Sequence, residues 1–74
     1  MKFNYSKLLG RMRECGYTQE TLADAIGKTK STLNTKLNNQ YNFTQSEIIA
    51  ICNVLKIAYK DIPVYFFAIE VQKK

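Results

Sequence analysis

The stretch from Thr18 to Asn38, TQETLADAIGKTKSTLNTKLN, leaves this chain the fewest choices of fold. Thr18 has the short hydroxyl side chain that caps a helix N-terminus. Leu22, Ala23 and Ile26 follow at helical spacing, and Gly27 stops the run in the left-handed conformation that glycine adopts at little cost. Thr29 then caps another helix, Lys30 to about Asn38. Its only large apolar residues are Leu33 and Leu37, four apart, so it buries a narrow stripe. The pattern predicts two short helices joined by a tight turn.

The flanking sequence supplies a scaffold. Asn4 is a candidate N-cap for a first helix running through Cys15, with Leu8, Leu9, Met12 and Cys15 on one face. Gly16-Tyr17 ends it. Asn38-Asn39-Gln40-Tyr41-Asn42 reads as a polar loop. Thr44-Gln45-Ser46-Glu47 is a capping box, opening a fourth helix through Leu55 with Ile48, Ile51, Cys52 and Leu55 inward. Phe43 is placed to staple against Ile48. Tyr59 to Ile62 suggests one helical turn that packs Ile57 and Ile62. Pro63 restricts the backbone around it. Val64 to Val71, rich in β-branched and aromatic residues, is expected to be extended or a strand, and Gln72 to Lys74 a polar end.

The 74 residues make one domain, 1–74, with the two-helix unit at 18–38 and the tail at 64–74. A chain this short buries only roughly 60% of its unfolded surface, so dimerisation would help it. Hydrophobic residues at 46% argue against disorder. Histidine is absent, which excludes His-dependent catalysis and a Cys–His zinc site. Paired carboxylates at a plausible site, a glycine-rich phosphate loop and a metal cluster are likewise absent from the sequence, so the chain is not expected to be an enzyme or to need a cofactor. Cys15 and Cys52 both fall in apolar helical patterns and read as buried, reduced thiols. With no secretory segment and no apolar run of about 18 residues, a cytoplasmic protein is expected.

Net charge is +5. Residues 1–40 hold seven basic side chains against three acidic ones; residues 41–74 hold four against three. The excess therefore lies in the half that contains the two-helix unit, and a small basic protein is drawn to polyanions. A helix entering the major groove needs short side chains, groups that hydrogen-bond to base edges, and an inner stripe that anchors it. In the third helix Leu33 and Leu37 anchor, while Lys30, Ser31, Asn34 and Thr35 face outward. Lys36 and Asn38 lie at the flank or far end, where phosphates run. Gln19, just inside the second helix, is placed at a helix N-terminus that favours an anion and is assigned to a phosphate. Any one lysine is equally accounted for as part of a solvated face, and Asn34 as a solvent-exposed residue. Arg11 and Arg13, two apart, do not share a helix face, so at most one of them is expected at DNA.

The residues Thr18-Gln19-Glu20, Leu22-Ala23, Ile26-Gly27, Thr29-Lys30-Ser31-Thr32-Leu33 and Asn38 resemble the helix-turn-helix of the phage Cro and repressor family, also called XRE-like. The flanking FNYSKLLGRMRE, FTQSEI and IPVYFF resemble small prophage regulators of Gram-positive bacteria. The resemblance covers nearly the whole chain. It implies an all-α, four- to five-helix lambda-repressor-like domain with a short extended C-terminal segment. It also implies a homodimer on double-stranded operator DNA. Base-contact positions then fall on Thr29, Lys30, Ser31, Asn34 and Thr35, and phosphate-contact positions on Gln19, Asn38 and Arg11 or Arg13. Two residues depart from the family pattern. Lys28 stands where Val or Ile is usual, so the turn must be more open or Lys28 must reach a phosphate. Asn39 replaces a glycine after the third helix, which asparagine tolerates.

The leading expectation is a sequence-specific transcriptional regulator that reads half-sites with helix 30–38. The alternative is a protein-interaction module of the same fold, antirepressor- or antitoxin-like, without sequence-specific DNA binding. No small-molecule ligand is evident. Tyr65-Phe66-Phe67 either closes the core over the first and fourth helices or pairs with its twin across a two-fold axis.

Overall fold

A computed structural model describes residues 2–70 of the chain. Five α-helices run in order: α1 Ser6–Glu14, α2 Gln19–Ala25, α3 Lys30–Leu37, α4 Gln45–Leu55 and α5 Ile62–Phe66. A 3-10 turn, Tyr59–Asp61, leads into α5. The fold is all-α, and the described residues contain no strand beyond one isolated antiparallel bridge between Phe3 and Ile69.

Threonine caps start three of the helices. The Thr18 hydroxyl accepts from the N–H of Thr21, and the Thr21 hydroxyl accepts from the N–H of Thr18, closing a capping box at α2. Thr29 Oγ1 accepts from Thr32 N–H at α3. Thr44 and Glu47 form the expected box at α4. Helix α1 starts later than expected, with Tyr5 rather than Asn4 in the cap position. The Asn4 N–H pairs with the Ala68 carbonyl, and helical geometry begins at Ser6. Asn4 Oδ1 still serves the helix start by accepting the Ser6 N–H.

Gly27, at φ +73°, ends α2 in the left-handed region as expected. Asn39, at φ 65°, adopts the same region after α3. Lys56 does so at the end of α4, where the sequence carries no glycine signal.

The tail corrects the expectation for Val64 to Val71. Val64, Tyr65 and Phe66 are helical, and extended backbone is confined to the short stretch 68–70 that runs beside 2–4. Pro63 lies in the first turn of α5, where its fixed φ suits a helix and its missing N–H has no intrahelical partner to lose. Local β-preference yields to burial: Phe66 is 1% exposed and α5 packs on α1 and α4. Val71 and the polar end Gln72 to Lys74 lie outside the described residues.

The core joins Leu8 and Met12 of α1, Leu22 and Ala23 of α2, Leu33 of α3, and Ile48, Ile51, Cys52 and Leu55 of α4, with Tyr5, Ile57 and Phe66. Tyr5 meets Phe43 edge-on at 5.4 Å between ring centroids, and Phe43 meets Phe66 at 5.6 Å. These are favourable aromatic geometries. Both cysteines are free thiols; Cys52 is buried and Cys15 half-buried. Burial pushes the Cys52 thiol pKa up.

Candidate nucleic-acid interface

Helices α2 and α3 pack against each other through Leu22, Ala23 and Leu33, which leaves one polar face outward. Lys30, Ser31 and Asn34 are exposed on α3, and Asn38 is exposed at its C-cap. Their amides are organised. Asn38 Nδ2 donates to Asn34 Oδ1 at 2.9 Å, and Asn34 Nδ2 donates to Gln19 Oε1 at 3.0 Å. The chain of bonds runs from the end of α3 to the start of α2 and leaves the Gln19 amide nitrogen as its terminal donor. Beside it, Thr18, Gln19, Glu20, Lys30 and Asn34 line an open depression of about 560 Å³.

The structure gathers Gln19, Lys30, Ser31, Asn34 and Asn38 on one face and, Arg13 apart, gives the other expected contact residues partners within the fold. Thr29 Oγ1 is committed to its cap and to Thr32 Oγ1 at 3.0 Å. Thr35 is half-buried, its hydroxyl donating to the Thr32 carbonyl at 2.7 Å. Lys36, expected at a phosphate, turns its ammonium inward onto both carboxylate oxygens of Glu47. Its side chain is only 13% exposed. Lys28 Nζ lies 3.9 Å from the same carboxylate, with its side chain 46% exposed. Of the two arrangements expected for Lys28, an open turn or a phosphate contact, neither is needed to place its charge.

The arginines stand apart. Arg11 Nε donates to the Leu55 carbonyl at 2.9 Å, satisfying an end carbonyl of α4, and Arg11 Nη1 donates to Glu14 at 3.2 Å. The hydrogen bond to Glu14 raises the Arg11 pKa further. Arg13 is exposed and makes no ion pair among the described residues.

Glu47 is the residue that the sequence placed only as a helix cap. It is 5% exposed. Burial pushes its carboxyl up, but Lys36 and the N–H and hydroxyl of Thr44 outweigh this and hold it below the usual carboxylate range. No spacing rule links residues 28, 36 and 47. The one hint was Lys28 itself, a cation where the family resemblance calls for an apolar residue.

Charge on this part of the molecule is therefore balanced. Residues 18–38 carry Lys28, Lys30 and Lys36 against Glu20 and Asp24, and Glu47 makes the count even. Glu20 is exposed in the first turn of α2, where an anionic phosphate would otherwise be welcome. The described residues hold no cluster of three metal-ligating side chains, and no helix is long and apolar enough to cross a membrane.

The class that emerges is a five-helix, all-α protein presenting a charge-balanced, amide-rich face from its second and third helices. The chain belongs to the family described as "Protein of unknown function (DUF739)", whose model matches residues 1–69. It is similar to the solution structure of the modulator of repression (MOR) of the temperate bacteriophage TP901-1 from Lactococcus lactis. The two share 39% identity over 90% of each chain, with a TM-score of 0.78. That neighbour is a phage regulatory protein. None of the curated proteins compared matches this chain.

Proposed function

We propose that this chain is a phage regulatory protein that acts on repression by binding a protein partner through the outer face of α2 and α3. The observation that carries this reading is the capture of Lys36 by Glu47, with Lys28 Nζ drawn to 3.9 Å from the same carboxylate. DNA affinity comes largely from lysines and arginines that neutralise phosphates. Here two of the three lysines of the unit are turned to a carboxylate, and Glu20 stands beside the third. A neighbour that modulates repression, rather than a repressor, agrees with such a face.

A Cro- or repressor-type homodimer, reading operator half-sites with α3 in the major groove, is the second reading. The bond chain from Asn38 through Asn34 to Gln19 favours it. Such a chain fixes amide donors in register at a helix start, where a phosphate could accept them.

Selection from random-sequence duplex at about 50 mM salt separates the two. The expected result is no enriched motif. In parallel, co-expression with a phage repressor and an operator-driven reporter should change reporter output, and the purified proteins should form a complex. An enriched motif with paired half-sites would install the DNA reader instead.

A further inference from the structure

Glu47 does more than a helix cap requires. Its capping duty is met by one carbonyl-type oxygen accepting the Thr44 N–H at 2.8 Å, and glutamine performs that duty equally well. The negative charge gains a little from the helix dipole, but the cap bond itself does not require it. It is spent on two cations from different elements: Lys36 in the last turn of α3, and Lys28 in the turn that precedes α3. These two lysines bracket the outward-facing residues of α3, one at each end. Both have long flexible stems able to carry an ammonium group out to solvent once nothing holds it in.

We infer that Glu47 is the specificity-determining residue of the α2–α3 unit, holding Lys28 and Lys36 away from a polyphosphate backbone and so setting the face against DNA. The inference rests on the reading of the chain as a protein-binding module and names what keeps it one. Removing the charge, with the cap retained, turns the same fold into a general DNA binder. Lys30, which Glu47 does not hold, contributes equally before and after the change.

The test compares the wild-type protein with Glu47→Gln on a mixed-sequence duplex, by fluorescence anisotropy between about 50 and 200 mM salt. Each phosphate neutralised steepens the dependence of log affinity on log salt by about 0.9. Two released lysines therefore steepen it by about 1.8, and E47Q loses about twelvefold more affinity than wild type across that range. E47Q also binds more tightly at the low-salt end. Adding Lys28→Gln and Lys36→Gln to E47Q returns the slope to the wild-type value. A folded E47Q, checked by circular dichroism, with an unchanged slope overturns the inference. A second measurement needs no variant: amine acetylation of the wild-type protein, followed by mass spectrometry. Lys36 labels more slowly than Lys30; equal rates overturn the inference as surely. A wild-type protein that selects a DNA motif would end the functional reading above, yet the slope difference between the two proteins would still be read.

Discussion

The Asn39 carboxamide pairs with the backbone of Phe3 on both sides, accepting its N–H at 2.8 Å and donating to its carbonyl at 3.0 Å. A side chain thus does the work of a neighbouring strand. On the opposite edge the same segment pairs with the tail, Asn4 N–H to Ala68 O and Glu70 N–H to Lys2 O. The end of α3 and both ends of the described chain meet at Phe3. Asn39 has the two properties this junction demands. It tolerates φ 65°, and it carries a donor and an acceptor on one short planar group.

Substitution at Asn39 separates those properties. Asn39→Ala loses both hydrogen bonds and puts into left-handed backbone a residue without asparagine's tolerance of it, a combined cost of about 2–4 kcal/mol. Asn39→Gly loses the bonds but relaxes the backbone, so its cost should be about 1–2 kcal/mol smaller. Urea denaturation of the three proteins gives the ranking. A glycine variant as unstable as the alanine variant would mean that backbone strain at this position is negligible.

Stability should fall in acid partly through Glu47. Its folded-state pKa is depressed, so its contribution is complete above the unfolded value of about 4.3 and fades as pH falls through the lower folded value. The unfolded chain takes up the proton first, which favours unfolding. Denaturation measured between about pH 5 and pH 3 should show a steeper loss for wild type than for Glu47→Gln. Near-neutral pH reverses the comparison. There the variant loses the Lys36 ion pair while the freed ammonium reaches solvent on its flexible stem, at a cost of about 1 kcal/mol. Parallel acid profiles would place Glu47 at an ordinary pKa.

Phe66 tests whether the tail belongs to the core. It is 1% exposed and packs edge-on against Phe43. Phe66→Ala should cost about 3–5 kcal/mol, against a total stability of about 4–11 kcal/mol for a domain of this size. Thermal melting followed by circular dichroism should show a drop of at least about 12 °C, or loss of the cooperative transition. A fall under about 5 °C would mean that α1 and α4 close without α5.

Legible and hidden features divide along physical lines. Caps and turns depend on neighbours within four residues. Thr18, Gly27, Thr29 and the Thr44–Glu47 box were therefore legible, and the structure places each as expected. Helix α5 was hidden because Val64, Tyr65 and Phe66 favour strands locally, and only contact with α1 and α4 overrides that preference. The face of α3 was readable as polar, since Leu33 and Leu37 fix which side is inward. Which of its groups are available was not. The inward turn of Lys36 depends on a carboxylate eleven residues away, and the ties of Asn39 on a backbone 36 residues away. The loss of Arg11 to the Leu55 carbonyl spans 44 residues.

Gln19 carries the last prediction because it joins the two helices without holding the fold. Its bond to Asn34 is exposed, so Gln19→Ala should change stability by no more than about 0.5 kcal/mol, or roughly 2–4 °C in Tm. Its effect on binding should be larger. The substitution removes both the terminal donor of the amide chain and the acceptor that orients Asn34. A loss of about 1 kcal/mol in partner affinity, some fivefold in Kd, is expected in a titration against the phage repressor that forms the proposed complex. Lys60→Ala, exposed on the 3-10 turn, should leave both stability and affinity unchanged. If Gln19→Ala instead weakens binding to every duplex tested about equally, and leaves the protein complex intact, then the face meets phosphates rather than a polypeptide.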